Sequence, residues 1–302
     1  MDARRPGDPG PRRPSPLEFI REVVAEWSAD NALSQGAALA YYTLFSLAPL
    51  LALVVIVAGL ALGRAAAQGV VVDRITGVVG AEGARALQGM LTHVSEPRAG
   101  IVPTVLSLVT MVVGASGAFG QLQTSLNQIW GVKQPRHAGV RGAIVQRLLA
   151  LAMIIGIGIL VVASTALSAV LTFVRDQLAA TLPVLAPFLP ALDFAASFLV
   201  TSVLFAAIFE FVPDVDLGWR DVAVGAAFTA LLFTIGKTLI GLYLGFSGAT
   251  SIYGAAGSLV VLLLWVYYSA QLLLLGAEVT EVWTRRYGSR RPRAAAAPAP
   301  VA

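Results

Sequence analysis

The chain has 302 residues, of which 57% are hydrophobic and only 13% charged, with a net charge of +4. Ordinary soluble domains carry about a quarter charged residues, so these few charges cannot cover a water-facing surface, and the mean hydropathy of +0.78 makes lipid the main solvent. A disordered chain, a disulfide scaffold and a typical cytosolic enzyme are excluded. The absence of cysteine also excludes disulfides, thiolate nucleophiles and Cys-ligated metal.

The first 16 residues hold five prolines among Gly and Arg and read as a disordered basic tail. From 17 to 35 the pattern turns helical. Leu17, Ile20, Val23 or Val24, and Trp27 recur at helical spacing, while Glu18, Glu22 and Glu26 hold another face. This predicts an amphipathic helix on the cytoplasmic side, lying either in the membrane interface or on the protein's own loops.

Six apolar runs then reach the roughly 20 residues needed to cross a bilayer as helix. They fall at about 36–63, 101–122, 148–174, 188–208, 222–246 and 253–276. Continuous runs of this length fit helices and not the short alternating strands of a barrel. The fold expected is an all-α integral membrane protein, a bundle of six transmembrane helices. The first run is too long, and starts too late, for a cleaved signal peptide. Between spans one and two, Val71, Ile75 and Val78, then Leu87, Leu91 and Val94, predict two short amphipathic helices on the outer leaflet. Residues 283–302, rich in Arg, Ala and Pro, read as a second disordered tail.

Fifteen of the 21 Lys and Arg residues fall on the side that holds both termini. The positive-inside rule puts that side, and with it both termini, in the cytoplasm. An even number of crossings agrees.

Several polar features sit within these apolar runs. Pro49 falls inside the first span and predicts a kink; Tyr41, Tyr42 and Ser46 precede it. They form either an interfacial aromatic belt or the lining of a cavity mouth. Gln121, Thr124 and Gln128 recur on one helical face, with Asn127 beside them, and need polar partners. Asp193, Glu210, Lys237 and Glu278 are ionisable groups at or near membrane depth, with Asp214 just beyond the fourth span and Gln271 in the sixth. Such groups are expensive in lipid and point to function, although a salt-bridged inner rim is an equal reading of Glu210, Asp214 and Glu278. Lys237 lies about 24 Å along its helix from Asp221 at 1.5 Å per residue, which disfavours a direct pair with Glu278. Gly59 with Gly63, Gly114 with Gly117, and Gly241 with Gly245 read as sites of close helix packing.

The stretches Ala38–Pro49, Gly114–Gly117 with Leu126–Trp130, Phe211–Asp214 with Trp219, Gly225-Ala226, Tyr253-Gly254 with Gly257, Trp265–Ala270 and Leu275–Glu278 together resemble the YihY/BrkB family of bacterial inner-membrane proteins. The resemblance covers about 33–282 and implies a six-helix bundle in the cytoplasmic membrane. The family was formerly labelled ribonuclease BN, and one branch is linked to serum resistance.

The residues themselves speak against a nuclease. The two histidines, His93 and His137, fall on opposite predicted sides of the membrane, and no metal-ligand spacing surrounds either. No phosphate-loop sequence is present, so neither nucleotide nor nucleic acid is an expected partner, and no cofactor, metal or catalytic residue is expected. Two functions remain: transporter- or flippase-like movement of an amphiphile or small solute, or a non-transporting scaffold in envelope assembly. Membrane lipids are the expected partners, with a homo-oligomer or an envelope protein as further candidates.

Overall fold

The computed structural model describes residues 15–63, 65–73, 76, 116–132, 139–181, 189–247 and 257–290, with some side chains inside these stretches left undescribed. The described residues are helical apart from short turns. The predicted outer-leaflet segment 77–100 lies outside them, as does most of the predicted second span.

Helix α1 (Pro16–Ala29) starts at a capping box: the Ser15 hydroxyl accepts from the Glu18 N–H, and the Glu18 carboxylate accepts from the Ser15 N–H. Both bonds satisfy donors that a helix start otherwise leaves open. The sequence pattern runs on to residue 35, but the helix breaks at Asp30 and Asn31. Asn31 adopts φ 53°, the left-handed conformation that a short polar side chain tolerates best. Helix α2 (Ala32–Leu62) leaves in a new direction and runs through residue 49 without interruption.

Helical segments α3 (65–73) and α4 (116–129) follow, then α5 (Gly139–Thr181), α6 (Leu189–Phe211), α7 (Trp219–Ser247) and α8 (Gly257–Arg286). Among the described residues four stretches are long and apolar enough to cross a membrane: Arg147–Leu167 in α5, Phe194–Phe211 in α6, Trp219–Tyr243 in α7 and Leu259–Arg286 in α8. Helix α2 adds 31 residues without Asp, Glu, Lys or Arg.

Helix α8 is the shared support of α1, α2 and α7. Its packing on α7 is antiparallel and set by a reciprocal pair of small-residue contacts. A Cβ built on Gly225 would lie 1.9 Å from Thr280 Oγ1, and one on Gly276 would lie 2.1 Å from Thr229 Oγ1. Each threonine is turned back onto its own helix: Thr229 donates to the Gly225 carbonyl at 2.7 Å and Thr280 to the Gly276 carbonyl at 2.6 Å. Hydroxyls are thereby satisfied without water, and the two backbones come close, as membrane helices require. Gly236 repeats the contact further along, against Leu272 and Tyr268. Helices α2 and α5 meet at Gly158, whose place a Cβ would contest with Val57.

Apolar clusters fill the rest. Leu51, Val54, Val55 and Ala58 of α2 pack with Leu262 and Val266 of α8. Leu126, Ile129 and Trp130 pack with Phe209, Val212, Val222 and Leu274, joining α4 to α6, α7 and α8.

The C-terminal boundary differs from expectation. Residues 283–290 are ordered: α8 continues to Arg286 and a turn follows to Arg290. Arg285 bonds Glu22 at 2.8 Å and Glu26 at 2.9 Å and lies 3.6 Å from Glu281, while Arg286 pairs with Glu22. Their charges are neutralised by α1, so the helix need not stop where the basic residues begin. Asp221 closes the turn by accepting from the Ser289 N–H at 2.8 Å.

Docking through Glu22 and Glu26 fixes the roll of α1. Leu17, Ile20 and Val24 remain 64%, 58% and 55% exposed, a continuous apolar strip on the outer side of the helix.

A polar seam where α1, α2, α4 and α8 meet

The seam is built on the break between α1 and α2. Because the chain turns at Asp30 and Asn31, Gln35 in the first turn of α2 faces α4. Its Oε1 accepts from Gln121 Nε2 at 3.0 Å and from the Ser125 hydroxyl at 3.0 Å, and its Nε2 donates to Gln128 Oε1 at 2.6 Å. Gln128 Nε2 then donates to the Asp30 carbonyl at 2.8 Å. The result is a directional chain of amides, Gln121 to Gln35 to Gln128 to the elbow. Each link also occupies its neighbour, so these groups hold helices together.

Asn127 makes a second junction. Its Nδ2 donates to Asp214 Oδ2 at 3.0 Å, and its Oδ1 accepts from the Asp214 N–H at 2.7 Å. Gln123 adds a longer bond to the same carboxylate, at 3.4 Å. Asp214, expected at a rim opposite the basic second connection, is held by the amides of α4; most of the basic residues of that connection lie outside the described residues. Among the described residues the ion pairs at this end join α1 and the end of α8.

From α8, Gln271 donates to the carbonyls of Ala32 and Leu33 at 3.3 and 3.4 Å. Gly36 makes room for this: a Cβ there would lie 2.0 Å from Gln271 Nε2. The Gln271 Oε1 is buried and accepts nothing. Two turns further along the same face is Glu278, 1% exposed, and among the described residues no amide, hydroxyl or cation reaches either of its carboxyl oxygens. The Asp30 carboxyl lies within hydrogen-bonding reach of it. Burial, the largest influence, holds the Asp30 carboxyl above its usual range; Glu26 pushes the same way, against hydrogen bonds with Gln128 and Glu278.

The other expected residues are placed differently. Tyr41 and Tyr42 are exposed and stack edge-on, with Phe45 beside Tyr41, an arrangement suited to an aromatic belt. Ser46 is buried but donates to the Tyr42 carbonyl at 2.7 Å, and Thr124 donates to the Gly120 carbonyl at 2.9 Å; both are back-bonded to their own helix. Glu210 has one buried oxygen without a donor and lies near Asp216 rather than Glu278. Lys237 is exposed on α7. It lies eight residues beyond Thr229, the residue opposite Gly276, and Glu278 lies two residues the other way, so the two are about 15 Å apart along the bundle at 1.5 Å per residue. The side chains of Pro49 and Asp193, and Gly114 and Gly245, lie outside the described residues.

Among the expected packing glycines, a Cβ on Gly117 would lie 3.5 Å from the Tyr42 ring, Gly63 ends α2 at φ +80°, and a Cβ on Gly241 or Gly63 would meet nothing within 4 Å. The seam residues not foreseen from the sequence are Asp30, Gln35, Gln123 and Ser125. A signal existed for two of them. The pair Asp30-Asn31 has the residue types of a helix boundary, and Gln35 is a polar group on the threshold of the first apolar run.

The sequence profile of the virulence factor BrkB family matches residues 23–300. The chain belongs to the virulence factor BrkB family. Its curated relatives in that family carry the name UPF0761 membrane protein. That of Glaesserella parasuis is 30% identical over 59% of this chain and 61% of its own length. That of Pseudomonas paraeruginosa is 28% identical over 89% of this chain and 65% of its own, and that of Vibrio vulnificus is 24% identical over 87% and 82%. The chain thus spans about three-fifths of the length of the first two relatives. No solved structure matches. BrkB membership and the apolar helices make this a membrane protein, and the profile covers the whole seam from Asp30 to Glu278.

Proposed function

We propose that this protein crosses the bacterial inner membrane six times, keeps both termini in the cytoplasm, and moves an amphiphile or small solute across the bilayer. The supporting observation is Glu278, a buried carboxyl that no amide, hydroxyl or cation reaches among the described residues. Groups that serve only to join helices satisfy one another, as Gln35, Gln121 and Gln128 do. A buried carboxyl met only by a second acid is maintained against a penalty of about 1–3 kcal/mol, which is what a ligand-facing residue requires. Gln271, with its own unmet oxygen on the same face of α8, extends the acceptor surface. Without a nucleotide motif, the energy comes from a gradient or a partner.

The orientation is supported by the Lys and Arg distribution and by α1, whose exposed Leu17, Ile20 and Val24 suit the interface on the face that holds the termini. The test is reconstitution of the full chain into vesicles containing fluorescent phospholipid, scored for lipid movement by quenching from outside. Glu278→Gln and Gln271→Ala should slow movement while membrane abundance stays unchanged. If the protein moves no lipid or solute, or if both variants remain fully active, the transport reading fails. The scaffold reading then takes its place, favoured by the self-satisfied amide chain and the back-bonded Ser46 and Thr124.

A further inference from the structure

The carboxyls of Asp30 and Glu278 face each other, and neither has a cation to itself. Every charged group around them is accounted for among the described residues. From α1 come Glu22 and Glu26; from α8 come Glu281, Arg285 and Arg286; and Arg290 approaches Glu281 from the following turn. Arg285 is engaged by Glu22, Glu26 and Glu281, and Arg286 by Glu22. Helix α4 contributes the neutral amide of Gln128, and α7 contributes the neutral Thr229 beside Gly276. Among these described groups the acids outnumber the bases, and the excess falls on the one that is fully buried.

Two carboxyl groups in contact form a hydrogen bond only if one of them carries a proton, and two like charges at that distance, one of them fully buried, do not both ionise. A multivalent metal fits poorly, since among the described residues no group of three acidic or imidazole ligands converges. We infer that Asp30 and Glu278 form a binding site for one exchangeable proton, shared between α8 and the elbow that joins α1 to α2. The inference rests on the reading of this seam as the working site and names the ion coupled to it. Its chemistry is a single acid–base step: the proton leaves the shared carboxyl for water, and two carboxylates remain face to face. Their repulsion acts across the Asn31 turn, where the left-handed backbone marks the place at which α1 and α2 can change angle.

The test is infrared titration of the full chain in lipid nanodiscs, in choline chloride and then in sodium chloride. The wild type should show a protonated-carboxyl C=O band at neutral pH that disappears on alkalinisation. That band should be missing from Glu278→Gln, which keeps shape and neutrality, and its midpoint should move in Asp30→Asn, where an amide donor replaces the second acid. A spectrum of the wild type that matches Glu278→Gln overturns the inference, as does an Asp30→Asn titration identical to wild type. Loss of the band on adding sodium at constant pH overturns it in favour of a sodium site. A proton band in a protein that moves no lipid refutes transport alone, whereas movement without the band refutes the proton site alone.

Discussion

Replacing Gly225 or Gly276 with alanine tests the α7–α8 contact directly. A Cβ on Gly225 would lie 1.9 Å from Thr280 Oγ1, 2.5 Å from its Cγ2 and 2.7 Å from its Cβ. Rotating Thr280 clears the hydroxyl but gives up its 2.6 Å bond to Gly276, and the Cβ conflict stays because that atom is fixed to the helix. Ordinary contact begins at 3.4 Å, so the helices must separate by about 0.7 Å, enough to forfeit a quarter or more of each dispersion contact along the interface. Overpacking of this kind costs about 1–3 kcal/mol, offset by up to about 1 kcal/mol from the better helix propensity of alanine. A net loss of about 1–2 kcal/mol follows for Gly225→Ala, and the same for Gly276→Ala, where the distances are 2.1, 2.7 and 2.8 Å. Both substitutions demand the same separation, so the double variant should lose less than the sum. Gly241→Ala is the control: it meets nothing within 4 Å and should be neutral or slightly stabilising. Equilibrium unfolding in mixed detergent micelles measures all four. If Gly225→Ala and Gly276→Ala unfold at the same point as Gly241→Ala, the contact reasoning is wrong.

Three further outcomes follow from the polar end. Asn127→Ala removes both bonds to Asp214 and leaves that carboxylate short of donors, so stability should fall by about 1–3 kcal/mol in the same unfolding assay, with Gln123→Ala losing much less. Arg285→Ala should release α1, seen as faster backbone hydrogen exchange over 16–29 with little change in α7; because the arginine is partly exposed, raising the salt concentration should reproduce part of the effect in the wild type. Finally, the raised Asp30 carboxyl means the folded state binds a proton more readily than the unfolded one. The contribution of Asp30 to stability should therefore be fully present below the ordinary aspartate range and be lost as pH rises above it, and Asp30→Asn should flatten that part of the dependence of melting temperature on pH.

Helix α2 and the spans in α5 to α8 were legible because each is written as a long apolar run, and α8 outran its expected end for an electrostatic reason. Arg285 and Arg286 look like tail residues until α1 supplies Glu22 and Glu26 as partners, a pairing across some 260 positions that no local pattern contains. The amide face of α4 was legible from the spacing of Gln121 and Gln128. Its counterpart Gln35 was not, because the amphipathic pattern of α1 reads smoothly through the Asp30–Asn31 break that turns Gln35 towards α4. The glycines show the same division. Composition marks many positions where helices could approach, but Gly225 and Gly276 earn that role only through the register of α7 against α8, and Gly241, on the same helix, points into open space.

Helix α8, the common neighbour of α1, α2 and α7, is also the last of the described helices to be synthesised. Until residues 257–286 enter the bilayer, α7 lacks the partner that fits its glycine–threonine face, and Glu22 and Glu26 lack the arginines that hold α1. The earlier segments, α6 on α7 and α2 on α5, must therefore wait with one face of α7 uncovered and α1 undocked, and the arrival of α8 supplies both partners at once.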